Sequence, residues 1–122
     1  MTKPRFTEKN DLYFNDWLRE NLPDSQTFGT TINDIDFIIY NYKTKKLMLI
    51  ERKCRMRDVN YSQKNIFTII NKALFHYSKV SDEYIYCGFN LISFENDTFE
   101  NGKVFLNNKE ISKEDLIKFL SI

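Results

Sequence analysis

Asp36-Phe37-Ile38-Ile39-Tyr40-Asn41-Tyr42 and Lys46-Leu47-Met48-Leu49-Ile50-Glu51-Arg52-Lys53, joined across the polar residues Lys43–Lys46, decide the fold. The two runs read as strand, turn and strand. Leu47 to Ile50 are all apolar, which predicts a second strand covered on both faces; a solvent-facing edge hairpin would alternate instead. The hairpin is therefore expected at the centre of the domain.

Outward from it, residues 61–79 carry the clearest helical pattern. Ile66, Ile69, Ile70, Ala73, Leu74 and Tyr77 make one stripe that predicts the core-facing side. Asn60 and Gln63, three residues apart, resemble a capping box with Asn in place of Ser or Thr. Upstream, Phe14, Trp17 and Leu18 predict a helix over 8–21, with Thr7 as N-cap and Pro23-Asp24 ending it. Downstream come a strand over 83–94, an Asn101-Gly102 turn into a short strand at 104–106, and a final helix opened by Ser112 and Asp115. A further short strand is expected between Ser25 and Ile32. With no repeat or linker, residues 1–122 are expected to form a single α/β or α+β domain with a mixed central sheet.

Composition narrows the chemistry. The chain has 122 residues, 18 basic and 17 acidic, a formal net charge of +1, and one histidine. Binding of nucleic acid by bulk charge alone is excluded, although a local basic cleft is not. One histidine (His76) and two cysteines (Cys54, Cys87) without CxxC spacing argue against a zinc site and a disulfide scaffold. Any metal is thus expected to be a hard ion held by carboxylates, Mg²⁺ or Mn²⁺. No apolar run reaches membrane-helix length, and the first ten residues lack a signal-peptide core, so an intracellular location is expected.

Acids occupy critical points on both hairpin strands. Asp36 stands where the first begins, and Glu51 and Lys53 share one face at the end of the second. A turn over 43–46 brings Asp36 beside Glu51. Two adjacent carboxylates repel unless a cation lies between them. A divalent ion removes that penalty and supplies a Lewis acid, and a neighbouring lysine can orient a water or stabilise growing negative charge. Phosphodiester hydrolysis is the natural reaction for such a set. The alternative structural roles are a turn cap for Asp36, which Asp34 fits better, and a solvated ion pair for Glu51 and Lys53.

Ile35-Asp36, fourteen intervening residues and then Glu51-Arg52-Lys53 resembles the PD-(D/E)xK, or restriction-endonuclease-like, nuclease superfamily, with Gln63 twelve residues past Glu51 at the next helix start. VRR-NUC nucleases and Holliday junction resolvases are similar here. Ile35 stands where the family's usual proline would be. The resemblance implies an αβββαβ core with flanking helices, to which the C-terminal strand and helix are additions. It implies a Mg²⁺- or Mn²⁺-dependent nuclease acting on duplex or branched DNA more readily than on RNA. Asp36 and Glu51 would hold the metal, with the Arg52 carbonyl as a further ligand; Lys53 would position water, and Gln63 would touch water or phosphate. Many members add a first-helix acid, for which Glu8, Asp11 and Glu20 are candidates and Glu8 is favoured by its early position.

Arg52, Arg55, Arg57 and Lys64 crowd the end of the ExK strand and suit a phosphate backbone better than a merely charged loop. Gln63 has an equally good reading as a cap residue alone. His76 falls off the helix stripe and is expected to be solvated or half-buried, and the cysteines to be inert buried thiols. A domain this small is expected to gain specificity from a homodimer or a recruiting protein. The alternative function is a catalytically inactive domain of the same fold that binds nucleic acid or a protein.

Overall fold

The computed structural model describes residues 9–22 and 29–122, and the chain divides into two compact units, Met1–Asn33 and Asp34–Ile122. The first unit contributes helix α1, Lys9–Asn21. Phe14 and Trp17, one helical turn apart, stack with ring centroids 5.9 Å apart. The Asn21 amide donates to the Trp17 carbonyl at 2.8 Å, satisfying one of the helix's last acceptors. Thr7, Pro23 and Asp24 lie outside the described residues, as does most of the strand expected over Ser25–Ile32; residues 29–32 are not in a strand.

The second unit is a mixed α/β fold: β1 Phe37–Asn41, β2 Lys46–Lys53, α2 Tyr61–Val80, β3 Ile85–Phe94, β4 Val104–Leu106, β5 Lys109–Glu110 and α3 Lys113–Leu120. The strands lie in the order β1-β2-β3-β4-β5. β2 and β3 are parallel, connected through α2, and the other neighbouring pairs are antiparallel. β1 is therefore an edge strand among the described residues, not a central one. β2 is internal, and its Met48, Leu49 and Ile50 are buried on both faces as their continuous apolarity predicts.

Turn chemistry closes each connection. Asn41 Oδ1 accepts from the N–H groups of Lys43 and Thr44, and Lys45 takes φ 63° to return the chain into β2. β3 carries a bulge: Leu47 pairs with Tyr86 but Leu49 pairs with Phe89, and Gly88 within the extra length has φ 98°. Asn107 and Asn108, at φ 50° and 71°, make the left-handed pair that turns β4 into β5. That hairpin was not expected from the sequence, although Asn-Asn between short runs is its signature.

The strand period divides the sheet into two unlike faces. On one, Met48, Ile50, Ile92, Phe94 and Val104 form a core with Leu116 of α3. On the other lies α2, whose sheet-facing residues are Gln63, Phe67, Asn71 and Ser78. The expected core stripe of α2 is thus rotated away from the described sheet, and Ile69 is 62% exposed. Tertiary packing overrides the helix's own amphipathic preference because Asn71 and Ser78 accept β3 backbone N–H groups, at Phe89 and Tyr86, that would otherwise be orphaned. No described helix is long and apolar enough to cross a membrane.

Candidate active site

The site lies at the carboxyl end of β2, beside the first turn of α2. β1 and β2 pair with Phe37 opposite Ile50, so the next step of the same register sets Asp36 opposite Glu51. Asp36 is tied down by backbone: the Arg52 N–H donates to its Oδ2 at 2.9 Å. The amide and carbonyl of one strand residue point to the same side, so the Arg52 carbonyl also faces the strand that carries Asp36.

Glu51 is the unusual residue. It is 3% exposed, and its Oε2 is buried without a hydrogen-bond partner among the described residues. Lys53 Nζ lies 3.6 Å from Glu51 Oε1 and donates to Gln63 Oε1 at 3.2 Å. Burial above all pushes the Glu51 carboxyl up to about 7; the adjoining Asp36 carboxyl, by hydrogen bond and by charge, and the more distant Asp34 push the same way, and only Lys53 opposes them. At neutral pH Glu51 is therefore prone to keep its proton, and Oε2 is a buried oxygen poised to carry it.

Gln63 serves as both cap and site residue. Its N–H donates to Asn60 Oδ1 at 2.9 Å, while its Oε1 accepts from the Asn60 N–H at 3.2 Å and from Lys53. The capping box thereby locks the rotamer that holds the lysine. The start of α2 also turns the positive end of its dipole toward this end of the sheet.

The basic residues do not converge on the acids. Arg52 alternates with Glu51 and Lys53, so its side chain is on the other face, with its guanidinium 5.8 Å from the Phe94 ring centroid. Arg55 pairs with Asp97 at 3.2 Å, Arg57 Nε donates to the Cys54 carbonyl at 3.3 Å, and Lys64 pairs with Asp58 at 3.4 Å. These are exposed contacts of small individual worth, so the three side chains can change partners. Arg55 and Met56 both take φ 57°, an uncommon conformation in succession, held by N–H bonds to the Asn96 and Phe94 carbonyls. His76 is exposed, and Cys54 and Cys87 are half-buried free thiols.

Of the first-helix acids, Glu8 lies outside the described residues, and Asp11 and Glu20 belong to α1 in the Met1–Asn33 unit. No cluster of three or more His, Cys, Asp or Glu side chains suited to a metal occurs among the described residues. The oxygens brought together are those of Asp36 and Glu51, with the Arg52 N–H bonded to Asp36.

Fold and site together define a mixed α/β protein with a buried, lysine-flanked glutamate beside an exposed aspartate at a strand end. No family model matches the chain, and no curated protein or solved structure matches it.

Proposed function

We propose that the protein is a metal-dependent nuclease of the restriction-endonuclease-like type, with Asp36, Glu51, Lys53 and Gln63 as its working residues. The observation that carries this reading is Glu51 Oε2, an orphaned buried acceptor opposite a second carboxylate. An apolar or amide side chain would fill the same space without that electrostatic cost. The hairpin, the helix after it and the parallel strand β3 supply the ββαβ part of the αβββαβ core that the motif implies.

The donor set fits Mg²⁺ or Mn²⁺: two carboxylates and a backbone carbonyl, all hard oxygens. Asp36, Glu51 and the Arg52 carbonyl would hold the ion, which would supply Lewis acidity toward a phosphate oxygen and neutralise the acid pair. Lys53 directs its ammonium into the same space. It aligns an attacking water and meets negative charge as it grows on the phosphate, while the Gln63 carbonyl keeps it from collapsing fully onto Glu51. The α2 N-terminus favours an anionic substrate on that side.

DNA, duplex or branched, is the favoured substrate by the motif's resemblance, inside the cell, with specificity drawn from a second copy or a recruiting protein. The test is cleavage of labelled duplex DNA, branched DNA and RNA with and without Mn²⁺, alongside Glu51→Ala. Manganese-dependent cutting lost in the variant is expected. Equal cutting by both proteins would overturn the assignment. No cutting, with no stabilisation by divalent ions, would favour a non-catalytic binding domain.

A further inference from the structure

A second cleft opens on the other flank of α2, lined by Val59, Lys64, Phe67, Thr68, Asn71 and Phe89, with a volume of about 320 Å³. That is at the lower end of small-ligand sites, suited to one planar group. Lys64, Phe67, Thr68 and Asn71 recur at the spacing of a single helix face. Phe67 and Phe89 pair at 4.4 Å between centroids and give the cleft an aromatic floor.

Asn71 gives the cleft a fixed polar group. Its Oδ1 accepts from the Phe89 N–H at 3.2 Å and from the Tyr86 hydroxyl at 2.8 Å. A backbone N–H can only donate, so the amide cannot flip without losing that bond. Burial first, with Tyr84 adding to it, holds the Tyr86 hydroxyl up to about 12, so it also remains a donor. Asn71 Nδ2 is left with no partner among the described residues. It is not sealed away either, since the one buried unpartnered side-chain nitrogen or oxygen there is Glu51 Oε2. The result is a preoriented donor above an aromatic floor, with the Lys64 ammonium beside it.

We propose that this cleft holds the base of an unpaired nucleotide next to the scissile phosphate. The inference rests on the nuclease reading and narrows its substrate to single-stranded, frayed or branched nucleic acid. The base stacks on Phe89, which the buried Phe67 ring backs, a base carbonyl or ring nitrogen accepts from Asn71, and Lys64 exchanges Asp58 for a phosphate. The distance suits it: Phe89 pairs with Leu49, two residues before Glu51, so its Cα is about 8 Å from that of Glu51 by strand spacing and rise. A strand passing around the start of α2 would meet Lys53 and Gln63 on one side and this cleft on the other.

The test uses the full ¹⁵N-labelled chain in EDTA, titrated with nucleoside 5′-monophosphates and, separately, with deoxyribose 5-phosphate. Saturable shifts of the Asn71 side-chain amide and the Phe89 backbone amide are expected with the nucleotides and not with the baseless phosphate. Thr68 is exposed at the rim, so Thr68→Trp fills the cleft without disturbing the core; it should weaken nucleotide binding at least about tenfold while leaving spectral dispersion intact. Equal shifts with the baseless phosphate, or wild-type binding by Thr68→Trp, would refute the base site. Nucleotide binding by a protein that cuts no substrate would uphold the cleft and overturn the nuclease reading. Cleavage without nucleotide binding would do the reverse.

Discussion

Glu51→Gln is expected to stabilise the metal-free protein selectively at alkaline pH. Wild-type Glu51 titrates near 7 when folded, against 4.5 for the ordinary side chain. The folded state therefore binds the proton more tightly than the unfolded state. Stability from this group is full below pH 4.5, is lost as pH rises toward 7, and is gone above it. Between pH 5 and pH 8 the loss comes to about 2.5 kcal/mol, as an order of magnitude. Glutamine mimics the protonated carboxyl and does not titrate, so its stability should lack this component. Whatever the variant's absolute offset from a weakened Lys53 contact, the difference between the two proteins should change by that amount across the range. Urea unfolding in EDTA at pH 5, 6, 7 and 8 measures it, and the carboxylates that do not adjoin Glu51 cancel in the difference. Curves that stay parallel within about 0.5 kcal/mol would show that Glu51 is not a buried, strained acid, and the argument for a cation at Oε2 would fall with it.

Manganese should raise the wild-type melting temperature more at pH 8 than at pH 6, because a cation must displace the proton that Glu51 holds; the variant Glu51→Gln should lose most of that gain, and a chelator should abolish it in both, as read by thermal unfolding. Lys53→Met should lower single-turnover cleavage by about two to three orders of magnitude while divalent-ion stabilisation persists; loss of both together would mean that the lysine organises the acids rather than the reaction. Asn60→Ala should cost about 1 kcal/mol in urea unfolding by removing the α2 cap, and should also slow cleavage, since the same box holds Gln63 against Lys53. Wild-type cleavage in a destabilised Asn60→Ala would separate the cap from the site.

The Asp36–Glu51–Lys53 grouping was readable along the chain because a hairpin over a short turn has few registers, and a period of two leaves no freedom in which face each residue takes. The same parity sends Arg52 to the opposite face, so its distance from the acids was legible as well, though clustering in sequence obscured it. The capping box was plain from Asn60 and Gln63, but the lysine at its mouth was not, since that contact joins a strand to the helix packed on its face. The Asn107-Asn108 turn went unread although its composition is a turn signature, because the strand it begins is only two residues long.

Local chemistry along the chain thus settled the β1–β2 hairpin, the long helix with its cap and the juxtaposition of two acids, all governed by neighbouring dihedrals and a short loop closure. It could not settle which side of α2 meets the sheet. The apolar stripe through Ile69 pointed one way, and the need to satisfy the β3 amides at Tyr86 and Phe89 turned Asn71 and Ser78 inward instead. Nor could it settle that Glu51 is sealed with an unpartnered oxygen. Burial and hydrogen-bond satisfaction belong to the packed whole, because they depend on what every other element covers.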